Sequence, residues 1–126
     1  AVAVSKGKYR KQRTDDLGRA RTVGIHCASS ANQARFTEAR NRLLTSTDRD
    51  ERRRYIDTMR RAAEAEAELT ADLLPIVRND PTIGYESWNH YFYVPQDLLE
   101  KQLNIRYVLD WLDRQAEPRN SETFQQ

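Results

Sequence analysis

DRDERRRYIDTMRRAAEAEAELTADLLP, residues 48–75, decides the fold. Within it Tyr55, Met59, Ala62, Glu66, Leu69 and Leu73 recur at steps of three and four, widened by Ile56 and Ala63. That spacing is the repeat of one helix face. Alanine, glutamate and arginine fill the rest, and all three are good helix formers. Asp48 followed by Glu51 predicts a capped start, the first side chain accepting from a free N–H and the second reaching back. Pro75 lacks a backbone donor and predicts a kink or stop near Leu74.

Upstream of this helix, Ile25, Ala28, Asn32, Phe36, Ala39 and Leu43 repeat with the same period. The first helix starts as early as Asp15 if Leu17 and Arg21 extend its face, against the cost of Gly18 and Gly24. It ends at Ser46-Thr47-Asp48. Downstream, Pro95 suits a first turn, and Asp97 and Glu100 suit its positive end. There the apolar face is Leu98, Leu99, Ile105, Leu109 and Leu112, with Tyr107, Val108 and Trp111 beside it. No stretch alternates with period two for long enough to predict a strand. The expected fold is all-α, three antiparallel helices with an ordered aromatic-rich loop between the second and third.

The chain has 126 residues, one domain by length. With 38% hydrophobic and 32% charged residues and a net charge of +2, it lies outside the disordered class. No apolar run approaches a membrane span, and a single cysteine rules out an internal disulfide framework. Residues 1–14 hold Lys6, Lys8, Arg10, Lys11 and Arg13 with no acid, which leaves −3 for residues 15–126. The expected division is a flexible basic arm at 1–14, a helical domain at 15–114 and a polar tail at 115–126.

The loop Asp80-Pro-Thr-Ile-Gly-Tyr-Glu-Ser-Trp-Asn-His-Tyr-Phe-Tyr93 carries five of the chain's eleven aromatic residues. So many rings do not belong in water. One reading folds the loop over the helix ends, with its rings capping the core. The other makes it one wall of a polar-ligand cleft, with Asp80, Tyr85, Glu86, Trp88, Asn89, His90, Tyr91 and Tyr93 facing the ligand, since rings with a polar handle suit half-wet sites. A zinc ion needs three or four protein ligands, and only Asp80 or His26 could join Glu86 and His90. Glycoside cleavage needs two acids facing one another across the bond, and with only Asp80 and Glu86 to choose from in the loop self-contained catalysis is not expected. Neither a metal nor an organic cofactor is expected.

Glu66 sits on an apolar face, where a carboxylate is costly unless paired. It is expected as a buried polar residue paired with an arginine of the first helix, Arg35 or Arg40 by phase, or else pointing into the cleft to orient His90. His26 reads as a hydrogen-bonded packing residue. Cys27 reads as a small buried hydrophobe, as free cysteine usually is. Arg60 and Arg61 read as balanced by Glu64 and Glu68 on a solvated face. The basic arm could grip a phosphate backbone, but the near balance of charge elsewhere disfavours nucleic acid as a partner.

Asn32-Gln-Ala-Arg-Phe36, Glu66 in its alanine-rich helix, Asp80-x-x-Ile-Gly-Tyr-Glu86, Asn89-His-Tyr-Phe-Tyr93 and Asp97-Leu-Leu-Glu-Lys101 occur in that order. Across residues 25–110 this resembles the C-terminal helical region of large bacterial glycoside-hydrolase-like proteins, the α-glucuronidase-like group. It departs from them at Pro81-Thr82 and at Val94. Such proteins carry their catalytic barrel upstream, so the resemblance implies an accessory domain of a carbohydrate-active protein with no catalytic residue of its own. It implies a piece of a longer chain, and Asp80, Glu86, Asn89 and His90 as supporting positions. The expected partners are carbohydrate or that upstream catalytic domain. The alternative function is a helical protein-interaction module.

Overall fold

A computed structural model of the protein describes residues 2–83, 85–86 and 91–116, except for the side chains of residues 2–6, 8, 85–86 and 91–92. The described chain is all-helical apart from one minimal ladder. Helix α1 spans Val2–Thr45, α2 Arg49–Asn79 and α3 Pro95–Ala116. Strands β1 (Tyr85–Glu86) and β2 (Tyr91–Phe92) pair antiparallel, Tyr85 with Phe92 and Glu86 with Tyr91. Two residues are too short to leave a period-two signal, which is why the sequence predicts no strand.

Alternation of buried and exposed positions follows the predicted faces on α1 and α2. On α1 the inward row is Thr22, Ile25, Ser29, Asn32, Ala39 and Leu43. On α2 it is Ile56, Met59, Ala62, Ala63, Glu66, Thr70, Leu73 and Val77. Two apolar clusters result. Ala39, Leu43, Ile56, Met59 and Leu112 form one, with Phe36, Tyr55 and Val108 against it. Ile25, Leu73, Val77 and Leu98 form the other. Between the two lies a polar layer around Glu66.

Helix ends show how the segments are punctuated. The Glu51 N–H donates to Asp48 Oδ1 at 2.8 Å, as the cap predicts. The Glu51 side chain does not reach back, because Ser46 Oγ holds it at 2.9 Å. Arg52 donates to the carbonyls of Leu43 and Ser46 at 2.7 and 2.9 Å, satisfying acceptors at the end of α1, where a cation also suits the macrodipole. At α3 the Val94 N–H donates to Asp97 Oδ2 at 3.1 Å, half of a capping box.

Several expectations are corrected. Residues 2–14 form the first turns of α1, so the helix begins well before the expected start at Asp15. Apolar periodicity reports packing rather than helicity, and extending an established helix over Lys, Arg and Gln needs no new nucleus. Gly18 lies against Ile76 and Arg19 against Asp80 at the far end of α2, so the turns before about residue 15 run past that helix. Helix α2 does not stop at Leu74 but carries Pro75 inside it and ends at Asn79. Pro75 and Ala71, whose carbonyl loses its donor, both face solvent. Water can satisfy that carbonyl while Leu73 and Val77 pack on the opposite side. Helix α3 runs to Ala116, past the expected domain end at 114, and residues 117–126 lie outside the described residues.

Exposure corrects others. Leu17 is exposed, and Gly18 and Thr22 take the inward positions instead. Cys27 is exposed because it lies two positions on from Ile25, off the buried row. Arg60 pairs with Asp113 of α3, and Arg61 with Asp57 at 2.7 Å, rather than with Glu64 and Glu68. On α3, Leu98, Ile105 and Leu112 are buried, whereas Leu99, Leu103, Tyr107 and Trp111 stand outward at 47, 66, 68 and 36% exposure.

Candidate functional site

Glu66, halfway along α2, is 7% exposed and would be untenable alone on an apolar row. Its partners come from both neighbouring helices. Ser29 Oγ of α1 donates to Oε1 at 2.5 Å and Asn32 Nδ2 to Oε2 at 3.3 Å. Lys101 of α3 forms an ion pair with Oε1. Lys101 also donates to the Tyr93 hydroxyl at 3.1 Å, lies within 3.5 Å of Ser29 Oγ, and sits 4.9 Å over the Tyr93 ring. The His26 ring meets Tyr93 edge-on, with centroids 5.3 Å apart. Among the described residues no buried side-chain polar atom lacks a partner.

The electrostatics hold both members of the pair charged. Burial alone would push the Glu66 carboxyl up and is the largest single influence. The bonds from Lys101, Ser29 and Asn32 and the Lys101 charge together outweigh it and hold the group below its ordinary value. For Lys101, burial would lower the ammonium, but bonds to Glu66 and Tyr93 and their charges carry it above its ordinary value. A carboxylate held ionised and an ammonium held protonated are poor proton shuttles near neutrality. His26 is held below its ordinary value by burial first and then by the Lys101 charge.

Beside this pair α1 and α3 part, and α2 forms the floor between them. The resulting groove has a volume of about 290 Å³. Ala62 and Ala63 line its base, and Phe36, Ile105 and Val108 give it an apolar wall. Asn32, Gln33, Thr37 and Asn104 add amides and a hydroxyl, and Glu66 and Lys101 add the two charges. Small residues on the floor and larger ones on the walls create the space.

The predicted site residues divide. Glu66 is buried as expected, but its partner is Lys101 rather than Arg35 or Arg40. Arg35 is exposed and reaches the network only through Asn32 Oδ1 at 3.3 Å, while Arg40 bonds Asn41 at 3.5 Å. Tyr93 joins the network directly. Asp80 does not face the groove. It accepts from the Thr82 N–H at 3.1 Å and the Thr82 hydroxyl at 2.5 Å, and it pairs with Arg19 at 3.4 Å, bracing the turn after α2. The Thr82 bonds, with the Arg19 charge behind them, hold its carboxyl below the ordinary value. Tyr85, Glu86 and Tyr91 are placed by backbone alone, in the ladder. Trp88, Asn89 and His90 lie outside the described residues, so Glu66 orienting His90 does too.

Sequence reading missed Ser29, Lys101 and Asn104. A signal existed for two of them. Ser29 falls four positions after Ile25, and Lys101 falls three after Leu98 and four before Ile105, so both are polar intrusions on apolar rows. Asn104 carried no such mark. Among the described residues no group of three or more His, Cys, Asp or Glu could hold a metal ion, and no helix is long and apolar enough to cross a membrane. No protein-family model, curated protein or solved structure matches the chain.

Proposed function

We propose that the chain is an accessory helical domain of a carbohydrate-active protein, an antiparallel three-helix bundle that holds a polyhydroxylated ligand without transforming it. The carrying observation is the groove beside the Glu66–Lys101 pair. Sugar rings offer hydrogen-bonding edges and apolar C–H faces, so they suit a cleft where amides and a hydroxyl surround an apolar patch. Phe36, Ile105 and Val108 supply the patch, and Asn32, Gln33, Thr37 and Asn104 supply the polar contacts. The charged pair supports a binding role over a catalytic one, because both groups are already committed to each other. The aromatic loop is proposed as the ordered cover at the Tyr93 end, and the order of motifs across residues 25–110 supports the carbohydrate context.

The test is a titration of the isotope-labelled chain with neutral and acidic oligosaccharides, followed by amide chemical shifts. Shifts concentrated at Gln33, Thr37 and Asn104, and weakened about tenfold in affinity by Asn104→Ala, are the expected result. An unchanged spectrum at millimolar sugar would reject the reading. The second reading, a protein-interaction module, is favoured by the outward apolar residues of α3.

A further inference from the structure

Helix α3 is apolar on two sides. Its inner side is covered by α2 and α1, but Leu99, Leu103, Tyr107 and Trp111 follow one another at steps of four along the outer side. These are four of the eight large hydrophobic residues exposed among the described ones, and the only four that form a continuous row on one helix face. Tyr9, Leu17, Val23 and Leu44 are scattered along α1. Isolated exposed apolar residues need no account, whereas a contiguous patch marks an interface.

We infer that this outer ridge of α3 is a self-association surface, and that its occupant is the same ridge of a second copy of the chain. Three observations carry this. A ridge with a step of four is the kind that packs into the groove of another helix, at a crossing near −50°. At these exposures the four side chains present roughly 450 Å² per copy, so two copies bury at most about 900 Å² from the ridge. That is the size of a weak, reversible contact. The row is also self-complementary about its midpoint. An antiparallel two-fold axis near residue 105, which covers all four side chains, sets Leu99 against the second copy's Trp111 and Leu103 against its Tyr107. The surface is separate from the α1–α3 groove, and the inference does not depend on a sugar ligand.

Sedimentation equilibrium of the whole chain, from about 1 to 300 μM, tests it. The expected result is a reversible monomer–dimer equilibrium within that range. Leu103→Glu should raise the dissociation constant at least about tenfold with an unchanged helical circular-dichroism spectrum, since the position is exposed. A chain monomeric at 300 μM overturns the inference, as does a dimer that survives Leu103→Glu combined with Tyr107→Glu. A monomer that instead captures a different protein through this ridge overturns the second-copy assignment as well.

Discussion

Glu66 is the residue on which the interior turns. Replacing it by Gln keeps the shape but leaves Lys101, whose side chain is 23% exposed, without its counter-charge. Removing one partner of a fully buried pair costs more than this, and partial solvation of Lys101 reduces the loss to about 2 kcal/mol, measurable by urea unfolding. Replacing the pair together, Glu66→Leu with Lys101→Met, should recover little of it, because Ser29 and Asn32 then lose their acceptor. The acid limb of stability follows from the same group. The folded state holds the Glu66 proton more weakly than the unfolded chain, so its contribution is complete above a pH of about 4.3 and disappears as pH falls through the lowered value. His26 adds an earlier step. Its folded value is also depressed, so stability should fall as pH drops below about 6.5 and then level off. His26→Gln should remove that step from the pH profile and leave the acid limb unchanged. The anomaly of Glu66 was legible in the sequence, as a carboxylate on an apolar row. Its partner was not, because a lysine whose stem packs while its head bonds carries no sequence mark of which helix it will face.

At the scale of elements, ends matter more than interiors. Val94 occupies the cap position of α3 and has no oxygen to offer the free N–H groups, although Asp97 already reaches back to the Val94 N–H. Val94→Thr should therefore stabilise the chain by about 0.5–1 kcal/mol, seen as a raised thermal midpoint. Arg52 closes the end of α1 through two carbonyls. Arg52→Ala should cost about 1–2 kcal/mol by the same measurement, whereas the neighbouring exposed Arg53→Ala should cost little. The three helices, most of the inner faces of α1 and α2 and the Asp48 and Pro95 starts were legible, since they rest on periodicity and capping chemistry, whereas Leu99 of α3 was expected inward and stands out. The passage of α2 through Pro75 was not legible, because it depends on which side of the helix meets water. The helical state of residues 2–14 was missed for a related reason: beyond Val2–Val4 only Tyr9 is apolar, which gives periodicity nothing to report.

Across the whole molecule, stability should be graded. The turns of α1 before about residue 15 lie past the end of α2, while Ile25, Ala39 and Leu43 lie inside the two apolar clusters. Amide hydrogen exchange should therefore be fast at residues 9–14 and slowest at residues 25–43 and 56–77. Comparable protection along all of α1 would contradict this division of the helix. Which faces meet was legible as an all-helical core, but the α1–α3 groove was not. It arises from alanines at 62 and 63 under larger residues on two other helices, a three-way relation that no single periodic pattern contains.

The network around Glu66 also works as a detent against sliding. Rows of alanine and leucine look much the same after a shift of one helical turn, about 5.4 Å, so apolar packing alone would tolerate misalignment. Moving α3 by a turn would replace Lys101 opposite Glu66 with Asp97 or Ile105, setting acid against acid or acid against hydrocarbon. Moving α1 by a turn would replace Ser29 with Ile25 or Gln33, and Asn32 with Ala28 or Phe36. Only one alignment of the three helices gives that carboxylate all its donors, so a single charge selects among threadings that hydrophobicity would leave nearly equal.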